Sequence, residues 1–442
     1  FILRHDGSSN FASGHRYGTF PSVSAGWIMT NESWMAPVRS WMDFLKLRGS
    51  WGQNGNCNID NFQYLATVSL DAPYDFTTGG TSISTGAFPD IIPNSDLSWE
   101  KSEQLNLGLD ARFLNQRLIL GFDWYRKTTK DWLVNAPTLD SYGTGSPVIN
   151  GGSVRNQGIE LSLSWYDRVG DFNYSVGVNL ATNSNKVTSI DNSDGIIHGA
   201  TNVISQNLSQ YNAYEARVGK PIGYFTGIAS EGIFQNQAQI DAWKAAGNGI
   251  LQANPVPGDV IFVDRDHNGM IDDADKTDLG NGIPKFTYGI NVNLYWKNFD
   301  LGIVGVGQAG NKIVQSYRNQ SNSQVNYTTA ILNRWTGEGT SDKMPRVTND
   351  NINWQFSDLY LQDGDFFRIS NLTLGYNFAP LINRKWLSNC RLYFQVQNVF
   401  TFTKYDGMDP EIGYGTESWV SGVDLGFYPR SRTYLFGVNL AF

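Results

Sequence analysis

The sequence predicts an all-β fold, an antiparallel transmembrane β-barrel, and three observations support this prediction. Of the 442 residues, 14% are aromatic, only 17% are charged and 46 are glycine, a composition unlike that of disordered chains. Several segments alternate between apolar and small polar residues, as β-strands do. The connections between these segments include both short turns and long loops, which a membrane barrel carries on opposite sides.

Other classes of protein fit the sequence poorly. No run approaches the roughly 18 consecutive apolar residues that a membrane-spanning helix requires. The net charge of -8 argues against nucleic acid as a partner, because phosphate binding requires a basic face. Cys57 and Cys390 lie far apart without neighbouring ligands, so a thiolate zinc site is not expected. We favour two free thiols, and a disulfide between Cys57 and Cys390 is the alternative.

The alternation is clearest in residues 158–165, 172–181 and 285–296, and we count about twelve such strands. One face of each carries bulky aliphatic and aromatic side chains, which we expect to contact the lipid bilayer. The other carries mostly Asn, Ser, Gly and Thr, suited to a polar interior. That face includes a group of four uncharged asparagines. These are Asn173, Asn179, Asn291 and Asn293.

The connections predict the orientation of the barrel. Short turns are predicted near 114–116, 167–171 and 297–299, with medium connections near 30–41 and 380–389. Long extracellular loops are predicted at about 54–97, 129–152, 188–284, 311–357 and 403–429. With the final long loop outside, the last strand runs inward. Its C-terminus is then expected in the periplasm.

Motifs along the whole chain resemble the SusC/RagA family of TonB-dependent outer-membrane transporters. They are DGSSNF at 6–11, RYGTFPSVSAGW at 16–27, RGSWGQNGN at 48–56, WEKSEQLNLGLD at 99–110, NQGIE at 156–160, GKPIGYFTG at 219–227, EGIFQN at 231–236, PGDVIFVDRDHNGMIDDAD at 257–275, PKFTYGINVNLYWKNFDL at 284–301, GMDPE at 407–411 and YPRSRTYLFGVNLAF at 428–442. The motifs occur in the family's order, which makes the resemblance specific.

The resemblance implies a barrel of about 22 strands with an N-terminal plug inside it. Together with the polar face of the strands, it implies that Asn173, Asn179, Asn291 and Asn293 contact this folded plug. Residues 1–442 would then be the C-terminal portion of that barrel, without the plug and the first strands. It implies the outer membrane of a Gram-negative bacterium and import of oligosaccharides or peptides. A SusD-like surface lipoprotein would deliver these substrates, and TonB would act through the missing N-terminal part.

The end of the chain resembles the terminal strand that the barrel-assembly machinery reads in outer-membrane proteins. The alternating residues expected to form this assembly signal are Tyr434, Phe436, Val438, Leu440 and Phe442.

Residues 264–275, DRDHNGMIDDAD, fit a twelve-residue calcium loop. Gly269 takes the sharp turn at position 6, and alternate residues point oxygen ligands at the ion. The predicted ligands are Asp264, Asp266, Asn268, the carbonyl of Met270, Asp272 and Asp275. Asp275 stands where a longer glutamate is usual. The other interpretation is an acidic, solvated loop, but five aspartates with one arginine would repel one another without a cation.

Aromatic residues in the long loops are candidate substrate contacts, because their rings stack on sugars. They are Trp132, Tyr142, Tyr405 and Trp419. No enzyme site is predicted. The GxGxxG spacing of Gly305, Gly307 and Gly310 is better explained by a barrel strand with glycines facing its interior than by a dinucleotide fold. The alternative function is a secreted, glycan-binding β-sandwich whose apolar face points inward.

Overall fold

The computed structural model describes residues 1–75, 83–136, 142–199, 213–316, 326–348, 351–382, 386–412 and 419–442. It divides into two compact units, Phe1–Ile197 with Arg217–Lys220 and His198–Ala216 with Pro221–Phe442. Both are built mainly from antiparallel β-sheet. Among the described residues, no helix has the length and apolar character needed to cross a membrane.

The first unit contains long antiparallel strands and two small hairpins. Its strands are β1 (Ile2–Gly7), β2 (Tyr17–Ile28), β3 (Met42–Asn56), β4 (Val68–Asp75), β5 (Ile83–Pro89), β6 (Glu100–Phe113), β7 (Leu118–Lys130), β8 (Leu133–Asn135), β9 (Val148–Asn150), β10 (Gly152–Val169), β11 (Phe172–Thr182) and β12 (Ser184–Ile190). The main sheet has the order β1-β2-β3-β6-β7-β10-β11, and β12 pairs with β10. The pairs β4–β5 and β8–β9 form hairpins within the long connections.

The second unit combines long strands with a larger share of folded connection. The remaining strands are β13 (Ile196–His198), β14 (Tyr214–Arg217), β15 (Tyr224–Ile228), β16 (Ser230–Ile233), β17 (Val260–Phe262), β18 (Lys276–Asn281), β19 (Phe286–Trp296), β20 (Phe299–Ala309), β21 (Lys312–Gln315), β22 (Leu361–Asp363), β23 (Phe366–Asn377), β24 (Asn389–Thr403), β25 (Val423–Asp424) and β26 (Thr433–Ala441). The main sheet of this unit has the order β19-β20-β23-β24-β26. The helices are α1 (Gln237–Ala245) and α2 (Ala379–Ile382).

Short 3-10 turns complete the described structure. They span Met29–Asn31, Ser33–Val38, Asp273–Asp275, Thr329–Asn333, Asn351–Trp354 and Asp358–Tyr360. The first two occupy the predicted medium connection at 30–41. The seven main-sheet strands of the first unit and the five of the second give the predicted count of about twelve. The predicted antiparallel sheet is therefore confirmed.

The cross-strand register confirms the two-faced pattern of the strands. Leu163 of β10 lies opposite Val178 of β11, and their side chains are 37% and 38% exposed. One residue away, Ser162 lies opposite Asn179 on the other face. Because successive side chains point to opposite faces, one face is apolar yet exposed and the other is polar. An exposed apolar face is what a strand in contact with lipid requires.

The connections between strands differ in length. Two residues join β10 to β11 and another two join β19 to β20. Between β6 and β7, three consecutive residues have positive φ angles of 59°, 57° and 62°: Leu114, Asn115 and Gln116. The longest connection runs from β12 to β19 and contains its own strands and helix α1.

One prediction about strand faces is wrong. Gly305 and Gly307 lie in β20, as predicted, but the register pairs them with Ile290 and Tyr288 on the apolar face. A Cβ atom at Gly305 would lie 2.5 Å from the ring of Phe367. These glycines therefore make room for large neighbouring side chains, whereas Gly302 pairs with Asn293 on the polar face.

The polar face also carries ion pairs, which the sequence analysis did not anticipate. Arg48 of β3 bonds Asp123 of β7 through two contacts of 2.5 Å, and its Nε lies 3.1 Å from Asp110 of β6. The register places Gly108 between Arg48 and Asp123. Without a side chain at Gly108, the guanidinium can cross the intervening strand and reach the carboxylate.

The second unit repeats this arrangement. Arg391 of β24 bonds Asp300 of β20 at 2.8 and 2.6 Å. Gly375 of β23 lies directly opposite Asp300. A Cβ atom there would meet Asp300 Oδ1 at 2.4 Å and Arg391 Nε at 2.6 Å. In each unit, an arginine and an aspartate thus bond across a glycine of the intervening strand.

Gly108→Ala is expected to destabilise the folded protein by about 1–3 kcal/mol, because the new methyl group overpacks the ion pair. Its Cβ would lie 2.5 Å from Arg48 Cζ and 2.7 Å from Asp123 Oδ1. Gly49→Ala in β3 is the matched control, since its nearest neighbour is 3.4 Å away. The measurement is urea-induced unfolding of each variant in lipid vesicles. Equal unfolding midpoints for the two variants would contradict this account.

Candidate functional site

The aspartate-rich segment 264–275 forms a compact loop directly after β17. Asp264 is only 3% exposed, and its Oδ2 accepts hydrogen bonds from the amides of Gly249 at 2.8 Å and Gly269 at 2.9 Å. Gly269 has a φ angle of +84°, which a glycine adopts without strain. The loop is therefore closed by backbone amides that converge on one buried carboxylate.

Three of the predicted ligands come together. Carboxylate oxygens of Asp264, Asp266 and Asp275 all lie within 4.8 Å of one another. Asp275 is 1% exposed, and it accepts hydrogen bonds from the amides of Arg265 at 2.6 Å and Asp272 at 2.9 Å. No cationic side chain in the described structure pairs with these three carboxylates.

The other predicted ligands make hydrogen bonds of their own, and Asn268 Nδ2 donates to Asp266 at 3.0 Å. Asp272 lies outside the group of three, and its Oδ1 accepts a hydrogen bond from Ala274 as the cap of the turn Asp273–Asp275. The Oδ1 atom of Asn268 accepts from the amide of Met270 at 2.8 Å. The backbone of Met270 packs against Gly249, where a Cβ atom would lie 2.7 Å from the Met270 carbonyl carbon.

The electrostatics of the loop suit a divalent cation. Burial alone would raise the pKa of Asp264, but hydrogen bonds from four backbone amides outweigh it and hold that pKa below its ordinary value. Asp264 is therefore ionised at neutral pH. The one arginine of the loop, Arg265, points away and donates to Thr277 at 2.5 Å. Carboxylate and carbonyl oxygens are the ligands that calcium prefers.

The four aromatic residues predicted to contact substrate have unequal surroundings. Tyr142 is 63% exposed, whereas Trp132 is 8% and Tyr405 is 5% exposed. The hydroxyl of Tyr405 donates to the buried carboxylate of Asp424 at 2.5 Å. Trp419 packs edge-on against the fully buried Tyr214, at 5.2 Å between ring centroids. Tyr142 is thus the most exposed of the four, and substrate contact at Trp132, Tyr142, Tyr405 and Trp419 stays a prediction.

Sequence reasoning missed a buried ionic cluster around Arg368. This side chain is 3% exposed, and its Nη1 and Nη2 donate to Glu411 and Asp409, both at 2.7 Å. Arg430 completes the cluster by bonding Glu411 at 2.7 Å. The sequence showed Asp409 and Glu411 beside Pro410, but nothing in it indicated which cationic side chain pairs with them. The signal available was the GMDPE motif itself.

The cluster attaches the connection that precedes β26 to strand β23. Burial would raise the pKa of Asp409, but hydrogen bonds from the amide of Glu411 and the guanidinium of Arg368 lower it below its ordinary value overall. Both carboxylates are thus engaged by arginines. A pair of carboxylates for acid–base chemistry would instead need one with a raised pKa.

Comparison with known proteins identifies the family. A family model described as TonB dependent receptor-like, beta-barrel matches residues 3–399. The chain is 32% identical over 456 residues to TonB-dependent receptor P3 of Formosa agariphila. This match covers 100% of the chain and 44% of that protein. It is 31% identical over 452 residues to TonB-dependent receptor SusC of Bacteroides thetaiotaomicron, covering 100% and 42%. The chain thus spans less than half the length of these relatives.

A solved structure shows the same fold. The RagAB peptide importer in its closed-closed state superimposes with a TM-score of 0.77 at 24% identity, covering 100% of this chain and 45% of the other. The predicted resemblance to SusC/RagA proteins and the transmembrane barrel fold are confirmed, and the alternative β-sandwich is wrong. The two-faced strands and the match over residues 3–399 lead to one conclusion: the chain belongs to the TonB-dependent receptor β-barrel family.

Proposed function

We propose that this chain is the C-terminal barrel portion of an outer-membrane transporter that imports nutrients with energy supplied through TonB. The observation that carries the proposal is the two-faced strand. Leu107 and Ile159 are 51% and 42% exposed on the apolar face, whereas Arg48 and Asp123 pair on the polar one. Such strands separate lipid from a polar interior. The plug and the TonB contact would come from an N-terminal part of the same protein, and the chain itself would have no enzymatic role.

The polar face would contact this plug. Asn173 and Asn179 are exposed on that face in β11, and Asn291 and Asn293 share the corresponding face of β19. Uncharged amides can bond a plug without the large desolvation cost of unpaired charges. Arg48 and Arg391, which lie on the same polar face of their own strands, are neutralised by aspartates of neighbouring strands.

The substrate would be an oligosaccharide or a peptide, delivered by a SusD-like surface lipoprotein that covers the long connections. One relative is SusC, and the structurally similar complex is described as a peptide importer. The connections of the second unit have their own core, in which Tyr214, Phe225 and Val314 are fully buried. A folded surface of this kind suits docking, because little order must be gained on binding. These connections would face outward, with the end of the chain in the periplasm.

Disruption of the gene in its native bacterium should abolish uptake of one class of labelled substrate, either oligosaccharide or peptide. Dissipation of the proton gradient should do the same in the intact strain, since TonB transmits that energy. Complementation with the intact gene is the control. Uptake that persists without the gene, or that is unchanged when the proton gradient is dissipated, would mean a different function.

We further propose that loop 264–275 binds a calcium ion. The support is the group of Asp264, Asp266 and Asp275, gathered within 4.8 Å, with which no cationic side chain of the described residues forms an ion pair. Three carboxylates so close repel one another unless a cation neutralises them. The bound ion would tie the loop to Gly249, whose amide already bonds Asp264 at 2.8 Å. Its role would be structural, in holding the connection between β17 and β18.

Asp266→Ala should weaken calcium binding roughly tenfold or more, because it removes a carboxylate ligand. Asp266 is exposed and bonds only to Asn268 in the described structure, so the variant should fold. Asp273→Ala is the matched control, since Asp273 is 88% exposed and pairs with Lys276. Calcium affinity is measured by calorimetry, and protease cleavage of the loop is followed with and without chelator. Unchanged affinity in Asp266→Ala would refute the site.

We also propose that the last strand acts as the assembly signal. Its alternating residues Tyr434, Phe436 and Val438 are 59%, 84% and 58% exposed on one face of β26. Phe442 is 80% exposed and stacks on Trp386 with ring centroids 5.7 Å apart. These exposed side chains remain accessible to a partner that recognises the last strand.

Phe442→Ala should lower the amount of folded barrel in the membrane several-fold, because the assembly machinery loses its terminal aromatic contact. Tyr428→Ala is the control, since Tyr428 is 90% exposed in the preceding connection. Folded barrel is quantified by its shifted electrophoretic mobility without heating. Equal membrane levels of the two variants would remove the support for an assembly signal.

A further inference from the structure

Five cationic side chains gather on the outward, apolar face of neighbouring strands, near the ends that lead into the long connections. We call this group the cationic band. It consists of Lys101, Arg126, Lys130, Arg155 and Lys186. All five belong to the first unit, on β6, β7, β10 and β12.

The register places the band on the lipid-facing side. Leu107 lies opposite Trp124, and the next pair on the same face is Leu105 with Arg126. On β10, Ile159 lies opposite Trp124, and Arg155 follows it on the same face, four residues nearer the long connection. The apolar surface therefore gives way to positive charge within a few residues, as at the boundary between hydrocarbon and headgroups.

The cations of the band are poorly neutralised. Arg155 lies directly opposite Lys186, and like charges in that position destabilise a sheet. The Nε atom of Arg155 is buried and has no hydrogen-bond partner in the described structure. One carboxylate, Glu103, bonds Lys130 at 2.6 Å. Among the described residues, no other carboxylate pairs with the band, which leaves an excess of positive charge.

An aromatic side chain marks the depth of the band. The guanidinium of Arg126 lies 5.5 Å from the ring centre of Trp124. Tryptophan concentrates at the membrane interface, where its ring reaches apolar chains and its N–H reaches water. The cations beyond Trp124 are thus at the level of lipid headgroups, and the leucines below it contact acyl chains.

We propose that the cationic band binds the phosphorylated headgroup of a lipid in the outer leaflet. A phosphate between Arg155 and Lys186 would relieve their repulsion. The acyl chains of the same lipid would lie along the apolar strands, which a free phosphate ion or an acidic protein could not exploit. The proposal rests on the outward orientation of the long connections proposed above.

The test uses the full-length protein in detergent, titrated with bisphosphorylated lipid A and followed by native mass spectrometry. Arg155→Gln and Lys186→Gln should each weaken lipid binding about fivefold, since each removes one cation near the headgroup. Lys127→Gln is the matched control, because Lys127 neighbours Arg126 on the opposite, polar face of β7. Unheated electrophoresis verifies that every variant is folded.

The outcomes discriminate between the possible occupants. Weaker binding in the two band variants and unchanged binding in Lys127→Gln support the lipid site. Equal affinity for dephosphorylated lipid A would overturn it, as would displacement of the lipid by millimolar inorganic phosphate. Equal loss in all three variants would show a general charge effect and also overturn it. Because binding is measured without transport, failure here would leave the proposed import function standing.

Discussion

Backbone hydrogen bonding in hydrocarbon is the constraint on which this structure depends. No water is available there to satisfy an open amide or carbonyl, so the strands must form an unbroken ladder. β6 and β7 pair from Lys101 to Phe113 without a register shift, and β7 pairs with β10 equally regularly. Hairpins and 3-10 turns occur in the connections instead, where water can satisfy the backbone. Since the pleat fixes alternate directions for side chains, the same ladder imposes one lipid-facing and one polar face.

The polar face must then accommodate charge beside a tightly paired backbone. An arginine can reach an aspartate two strands away only if the strand between them carries no side chain at that position. Gly108 provides this gap for Arg48 and Asp123, and Gly375 provides it for Arg391 and Asp300. Each ion pair therefore depends on a glycine as much as on its charged residues. The glycine serves here through its lack of Cβ and not through unusual backbone angles.

The sequence predicted the strands well because period-2 alternation is a local signal. The residues of 158–165 and 172–181 alternate visibly, and the register then follows from the two-residue turn between them. What depends on distant contacts was not predictable. Arg368 meets Asp409 across 41 positions, and Trp132 is buried by residues that no local pattern identifies. Gly305 and Gly307 were assigned to the wrong face because small residues fit either one. The aspartate loop was recognisable, since its oxygen spacing lies within twelve residues.

Charge is treated differently in each part of the molecule, and burial explains the difference. In the connections, Asp259 is 1% exposed and bonds Arg346 at 2.7 Å and Asn353 at 2.9 Å, because an unpaired buried charge would be prohibitive. On the polar face, Arg48 and Arg391 are 33% and 25% exposed and pair with aspartates of neighbouring strands. On the outward face, Arg155 and Lys186 stand opposite each other with no carboxylate bonded to either in the described structure. This like-charged pair differs from the ion pairs of the other two environments, and anionic headgroups beside the outward face would neutralise it.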